Sequence, residues 1–344
     1  MLARLKNWLD RKRPNSEAAY RRRLEQEIAN YADDTNVHDL PEIFHYWSNR
    51  YVRPWFEAVD TTHPEDLFAR YLLEAARRGD AETPRFLSIG AGNCDAEVGI
   101  ARDLVGRGLE HFTLECLDIN PSMLERGRAM AREAGVEEHL RFSQADFNNW
   151  RPGGRYDGIL ANQCLHHVQN LEGLFDGIQD GLTDTGLFIT SDMIGRNGHQ
   201  RWPEALEIVQ AEWNKLPERY RYNHQAKRLE LEFINHDCAV ESFEGIRAQD
   251  ILPLLIERFS FHVFIAFGNV VDVFIDRAFG HNFDAESPED RAFVDRLHAI
   301  DEQGFADGSL KPTHMVAVMA RKTAAAESPF HARGLSPEQA VRWP

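Results

Sequence analysis

The segment Arg85-Phe-Leu-Ser-Ile-Gly-Ala-Gly-Asn-Cys94, followed by Leu114-Glu-Cys-Leu-Asp118, constrains this chain more than any other feature. It spells an apolar strand, a glycine turn, room for a helix, a second strand and a terminal acid. Phe86, Leu87 and Ile89 suit a strand buried on both faces of a parallel sheet. Gly90 and Gly92 remove the side chains that would hold the backbone away from a ligand. Asp118 falls at the tip of the next strand, where a carboxylate can accept both hydroxyls of a ribose. The layout is that of a nucleotide-type cofactor site, although Gly-x-Gly alone is equally compatible with a turn that binds nothing.

The third glycine position separates the cofactor classes. A dinucleotide fingerprint asks for Gly-x-Gly-x-x-Gly, with the pyrophosphate resting on a helix N-terminus. Here that position is Asp95, which sets a carboxylate where bare amides should face an anion. This argues against NAD or FAD, whereas S-adenosylmethionine (SAM) carries no phosphate and tolerates the change.

Two further strand-and-tip motifs follow. Leu140-Arg-Phe-Ser-Gln144 precedes Ala145-Asp146-Phe147, and Tyr156-Asp-Gly-Ile-Leu-Ala-Asn162 precedes Gln163-Cys-Leu-His-His167. With these motifs in this order, the chain resembles the class I SAM-dependent methyltransferases over roughly Pro84 to Asp192, and more loosely near 259–267 and 315–320. The resemblance implies that Gly90 and Gly92 line the methionine portion of SAM, that Asp118 holds the ribose, and that Asp146 with Phe147 faces the adenine. Two departures bear on the contacts to the methionine ammonium group: Ser88 stands where the family often has an acid, and Cys94 where a third glycine is frequent.

Pro121 suits the first turn of a helix ending near Gly135, and 171–181 reads as another helix before the strand Leu187-Phe-Ile-Thr190. Such alternation predicts an α/β fold with a parallel sheet flanked by helices. Ligands of such sheets gather at the carboxyl ends of the strands, so Gly90, Asp118, Asp146, Asn162 and Asp192 should converge, and Asn162 is counted among the cofactor residues. The resemblance adds that the sheet is Rossmann-like and seven-stranded, with an antiparallel pair, 259–266 and 315–320, at one edge. Residues 1–82 read as an N-terminal helical extension or lid, 83–194 as the SAM-binding core and 195–258 as a helical cap insertion. The remainder divides into 259–322, the end of the core sheet, and 323–344, a mobile tail.

The aromatic-rich stretch around Phe44, Tyr46, Trp47, Tyr51, Trp55 and Phe56 either packs as core or folds over the cofactor cleft. In the insertion, Arg221 and Tyr222 are candidate acceptor contacts, with a solvated helix face as the plainer reading of the basic residues there. His166 and His167 follow the fourth strand, where the family places groups near the transferring methyl, and either could take a proton at neutral pH. His236 beside Asp237 is a third candidate base, although neighbouring side chains on a strand point to opposite faces. No ligand spacing for a metal is visible, and the four cysteines are scattered singly without disulfide or metal spacing.

A net charge of −16 over 344 residues disfavours nucleic-acid partners. Residues 1–23 are locally basic and carry Leu2, Leu5, Trp8 and Leu9 at helical spacing, which suits either a solvated helix or a weak anchor for an acidic membrane or partner. No apolar run approaches the ~20 residues of a membrane span, and a reducing cytoplasm is the expected compartment. The expectation is therefore a SAM-dependent methyltransferase acting on a small-molecule or saccharide-like acceptor, at oxygen. An NAD(P)-dependent oxidoreductase and a non-catalytic partner protein that keeps the fold are the competing readings.

Overall fold

The computed structural model describes residues 20–24, 40–240, 242–322 and 328–343. Most of the basic segment 1–23 lies outside the described residues. Five strands build the parallel part of one sheet: β1 (Arg85–Ile89), β2 (Thr113–Asp118), β3 (Leu140–Gln144), β4 (Tyr156–Asn162) and β5 (Leu182–Met193). After a two-stranded hairpin of β6 (Tyr222–Asn223) and β7 (Arg228–Leu229), the sheet is completed by β8 (Phe259–Phe267), β9 (His314–Arg321) and β10 (Phe330–His331). The order across the sheet is β10-β8-β9-β5-β4-β1-β2-β3.

Successive residues of a strand face opposite layers, and the apolar runs of this sequence feed both. Phe86, Leu160 and Ile189 join the core on one face, while Leu87, Ile159 and Phe188 join the core on the other. Helix α1 (Pro64–Arg78) buries Leu67, Phe68 and Leu72 against β4 and β5. It approaches so closely that a Cβ at Gly158 of β4 would collide with the Leu72 side chain. The crossover helices are α2 (Asp95–Gly106), α3 (Pro121–Glu133) and α4 (Leu171–Gly181). Helix α3 starts where Pro121 occupies the first turn and the Asn120 side chain accepts from the amides of Ser122 and Met123, an arrangement that satisfies otherwise orphaned donors.

The structure corrects two sequence expectations. Among the described residues the sheet has eight strands rather than seven, and the antiparallel pair is not its margin. Strand β9 runs antiparallel to both β5 and β8, and β10 pairs parallel to β8 at the outer edge. The extra strand comes from the segment expected to be a mobile tail. Residues 328–343 are docked: Ser336 and Gln339 form a reciprocal helix cap, Ala340 and Val341 are buried, and Arg342 Nε lies 2.7 Å from Glu204 Oε1.

The aromatic stretch 42–57 is core. Trp47 is buried and packs against Phe267 and His298. Within the insertion, α5 (Pro203–Trp213) and the β6–β7 hairpin precede α6 (Ala248–Arg258), whose Ile251, Leu252 and Leu255 belong to the sheet-flanking core. Helix α6 therefore supports the sheet and the cap proper ends before it. Helix α7 (Pro288–Asp307) completes the outer layer. No helix among the described residues is long and apolar enough to cross a membrane.

Candidate active site

The loop after β1 turns through three left-handed residues, Gly90, Gly92 and Cys94, with φ of 68°, 54° and 60°. The two glycines serve different ends. A Cβ at Gly90 would stand 2.5 Å from Cys164 Cβ, so Gly90 lets the turn after β4 press against the turn after β1. Cys164 Sγ donates to Ile89 O across that contact at 3.0 Å. At Gly92 a Cβ would meet only Met123 Cε, at 3.4 Å, and leaving that volume clear suits a ligand. The Gly92 amide donates to Asp118 Oδ2 at 2.9 Å and the Asn120 amide to Oδ1 at 2.8 Å. Burial pushes the Asp118 carboxyl up, against the lowering effect of these amides. Each carboxylate oxygen keeps capacity for a further donor, so turn and acid together fit the ribose and methionine portions of SAM.

Ser88, where the family often has an acid, is not without one. Glu97, on the first turn of α2, is buried and accepts from Ser88 Oγ at 2.6 Å through Oε1. Its other oxygen, Oε2, has no partner among the described residues. Burial pushes this carboxyl up to about 7. A buried acid thus stands beneath the glycine turn, supplied from the helix rather than the strand.

At the tip of β3, Phe147 is buried beside the glycine turn, its Cζ 3.7 Å from where a Gly90 Cβ would lie. Asp146 Oδ1 accepts from the Tyr20 hydroxyl at 2.7 Å and from the Asn148 amide at 2.9 Å. The Tyr20 ring packs on Phe243 of the insertion at 5.4 Å. Burial and Asp146 push the Tyr20 hydroxyl well up, so it remains a donor. The N-terminal segment thereby reaches the acid expected at the adenine and links it to the cap.

The tips of β4 and β5 carry the densest polar cluster. Asp192, at the end of β5 and fully buried, accepts from the amides of Cys164 and Leu165 through Oδ2, at 3.0 and 2.7 Å. Its Oδ1 takes His166 Nδ1 at 2.7 Å. From the insertion come His199 and Glu244. His199 Nε2 lies 2.7 Å from Glu244 Oε1, His166 Nε2 lies 3.4 Å from the same oxygen, and His167 Nε2 lies 3.4 Å from Oε2. Burial alone would depress the His166 imidazolium, but the charges and hydrogen bonds of Asp192 and Glu244 outweigh it and raise it to about 10. His199 goes the other way, lowered chiefly by burial. Glu244 is held far below the usual carboxylate range, because the two imidazoles outweigh its burial.

The structure thus gathers Gly90, Gly92, Asp118, Phe147, His166 and His167 at one end of the sheet. Asn162 sits at the tip of β4, in register with Ser191. The other sequence candidates lie apart. His236 is exposed, and its amide donates to Ile234 O. Arg221 spends its guanidinium on the backbone carbonyls of Leu231, Asn214 and Leu216, which ties the insertion to itself. Tyr222 is 40% exposed beside His224. Sequence reasoning missed His199, Glu244, Glu97 and Tyr20, and a cluster with a metal-ligand donor set, His166, His199 and Glu244, exists where no ligand spacing was visible.

A family model described as a methyltransferase domain matches residues 82–252. Malonyl-[acyl-carrier protein] O-methyltransferase 2 of Ilyobacter polytropus is 27% identical over 128 residues, 37% of this chain and 46% of that protein. Among solved structures, geranyl diphosphate C-methyltransferase from Streptomyces coelicolor A3(2), in complex with Mg2+, geranyl diphosphate and S-adenosyl-L-homocysteine, is 13% identical with a TM-score of 0.44, covering 87% of this chain and 98% of that one. A putative sarcosine dimethylglycine methyltransferase from Galdieria sulphuraria is 18% identical with a TM-score of 0.42, covering 81% and 96%. The chain spans about half the length of the curated relative that it matches.

Proposed function

Starting from residues 82–252 as a methyltransferase domain, we propose that the protein is a class I SAM-dependent methyltransferase that methylates an oxygen of a small-molecule or saccharide-like acceptor. The observation that carries this reading is the imidazole–carboxylate cluster at the tips of β4 and β5, against the Cys164 turn that packs on Gly90. Bound SAM supplies a methyl group already activated on a sulfonium. The chain's task is to align the acceptor, exclude water and receive the proton that the hydroxyl gives up.

Alignment and water exclusion are worth on the order of 7 to 11 kcal/mol in favourable cases. The glycine turn and Asp118 fix one reactant, and the insertion loops holding His199 and Glu244 bound the space for the other. Among the imidazoles, His166 is charged at neutral pH and holds its proton, while burial keeps His199 neutral and ready to take one. His167 shares Glu244 with both and adds a second polar contact for the hydroxyl. With SAM held by the glycine turn and Asp118, its methyl group would be supplied to the acceptor oxygen, and His199 would receive the proton that the hydroxyl gives up.

Incubating the full chain with methyl-labelled SAM and a panel of hydroxylated metabolites tests the reading. We expect an O-methyl product, unchanged SAM affinity in His199→Ala and turnover lowered about 10²- to 10⁴-fold, the usual scale for a proton-transfer group. Label appearing only on nitrogen or carbon, or unchanged turnover in the variant, would refute it.

A further inference from the structure

We propose that His166, His199 and Glu244 bind a divalent transition-metal ion beside the methyl acceptor. One ligand atom from each of the three lies within 4.8 Å of the others. Glu244 Oε1 is 2.7 Å from His199 Nε2 and 3.4 Å from His166 Nε2. Bonds of about 2.0 to 2.2 Å from an ion to imidazole nitrogen and carboxylate oxygen place neighbouring ligand atoms roughly 3 Å apart. The carboxylate oxygen already stands at such distances from both imidazoles, and the ion would draw the set, now within 4.8 Å, together in place of the imidazole protons directed at Glu244.

The surroundings of His166 are those of a metal ligand. Its Nδ1 is committed to Asp192, which leaves Nε2 to face Glu244 and fixes the plane of the ring. A carboxylate on the far nitrogen is the common outer partner of a metal-bound histidine. Asp192 cannot drift, because it is fully buried and accepts three backbone amides, those of Cys164, Leu165 and Met193.

The other two ligands are held just as firmly, although they come from the insertion. The Gly198 amide donates to Gly245 O at 2.8 Å, clamping the loop of His199 to the loop of Glu244. Gly198 and Gly245 are left-handed, at φ of 64° and 67°. A Cβ at Gly245 would lie 3.0 Å from the amide nitrogens of Gly198 and His199, and one at Gly198 would strike the Asp237 carboxylate. His199 itself is left-handed, at φ 55°, a conformation disfavoured for a residue with a side chain.

Two imidazoles and one carboxylate select Zn2+, Mn2+, Fe2+, Co2+ or Ni2+ over Mg2+ and Ca2+, which prefer all-oxygen sites. Three protein ligands also leave a coordination position open, the mark of a catalytic rather than a structural centre. The ion's neighbourhood to the acceptor rests on the methyl-transfer reading, and while an ion is bound His199 is its ligand and no longer the proton acceptor; the ion site itself does not rest on that reading.

The test uses the full chain, freed of any affinity tag and stripped with chelator, titrated with Co2+ by visible absorption and with Zn2+ by calorimetry. One equivalent should bind and give a ligand-field band. Affinity should fall at least about tenfold in His199→Ala and in Glu244→Gln, and about 10- to 100-fold in Asp192→Asn, the scale for outer-shell partners. Circular dichroism establishes that each variant is folded, and the near-isosteric Glu244→Gln carries the test where another variant is not. Absence of a stoichiometric ion, or equal affinity in folded Glu244→Gln, overturns the proposal. SAM titration of the same samples separates the two readings. SAM binding and label transfer without a cobalt site overturn the ion alone, whereas a cobalt site with the expected variant losses but neither SAM binding nor transfer upholds the ion and overturns the methyl-transfer reading.

Discussion

Glu97→Gln should change how the stability of this protein depends on pH, and the change can be worked from the structure. Glu97 is buried beneath the glycine turn, one oxygen accepting from Ser88 and the other without a partner among the described residues. Burial pushes its carboxyl up to about 7 from the ordinary 4.5. Between those values the unfolded chain has released a proton that the folded chain keeps, so the folded state binds more protons and loses stability as pH rises. The contribution is fully present below about 4.5, declines from there to about 7 and is gone above. At 1.36 kcal/mol per pH unit, the decline amounts to ~3 kcal/mol.

Glutamine cannot ionise, so the variant lacks that decline. It can still accept from Ser88, and its amide replaces the protonated oxygen. Any cost of leaving that amide unpaired, about 1 to 3 kcal/mol, is independent of pH. Denaturant unfolding of both proteins from pH 4.5 to 8.5 isolates the difference, because other groups such as Asp301, also pushed up to about 7 by burial, titrate alike in each. The variant should gain on the parent by ~3 kcal/mol between pH 4.5 and pH 8. Parallel curves across that range would refute the reasoning and show that Glu97 is charged in the folded protein.

Two binding experiments follow from the cofactor half of the site. Asp118→Ala removes the acceptor expected for the ribose and should weaken SAM binding by about 1.5 to 3 kcal/mol, the scale of a charge-assisted hydrogen bond; equal affinity by calorimetry in a folded variant would remove Asp118 from the site. Tyr20→Phe releases Asp146 Oδ1 from a 2.7 Å hydrogen bond and should tighten SAM binding by about 1 kcal/mol. Weaker binding in that variant would make Tyr20 part of the cofactor pocket instead of a group that competes for it.

The glycine turn and the strand-tip residues, the proposed cofactor half of the site, were legible in the sequence because their signals are local. A strand, a glycine turn and a strand-tip acid fall within a few residues of one another, and the period of the apolar residues orients them. The cluster at β4 and β5 was only half legible. His166 and His167 follow a strand and could be placed, but His199 and Glu244 are 45 residues apart and meet only through packing of the insertion. Their local marks were the glycines beside them, Gly198 and Gly245, which force the two loops together. The stretch 233–247 did attract attention, but through His236 and Asp237, whose adjacency suggests a dyad. In the structure Asp237 Oδ1 instead accepts the Ala239 amide at 3.0 Å as a local turn. The docked C-terminal residues were missed for a related reason, since a two-residue strand such as β10 has no periodicity to read.

At Ser88, where the family often has an acid, a buried acid lies alongside: Glu97 of the following helix accepts from the serine hydroxyl at 2.6 Å. The acceptor side follows the opposite logic. Nothing in methyl transfer demands a particular base, since alignment supplies much of the acceleration. On the proposed reading, the sheet would hold the cofactor through backbone amides and buried acids while the insertion would bound the acceptor. His166 is where the halves join: Asp192 fixes it from the sheet and Glu244 meets it from the insertion. A substitution confined to the insertion loops should alter the acceptor or the ion and spare SAM, whereas one at Asp192 should disturb both halves, because the same carboxylate orients His166 and holds the turn that packs on Gly90.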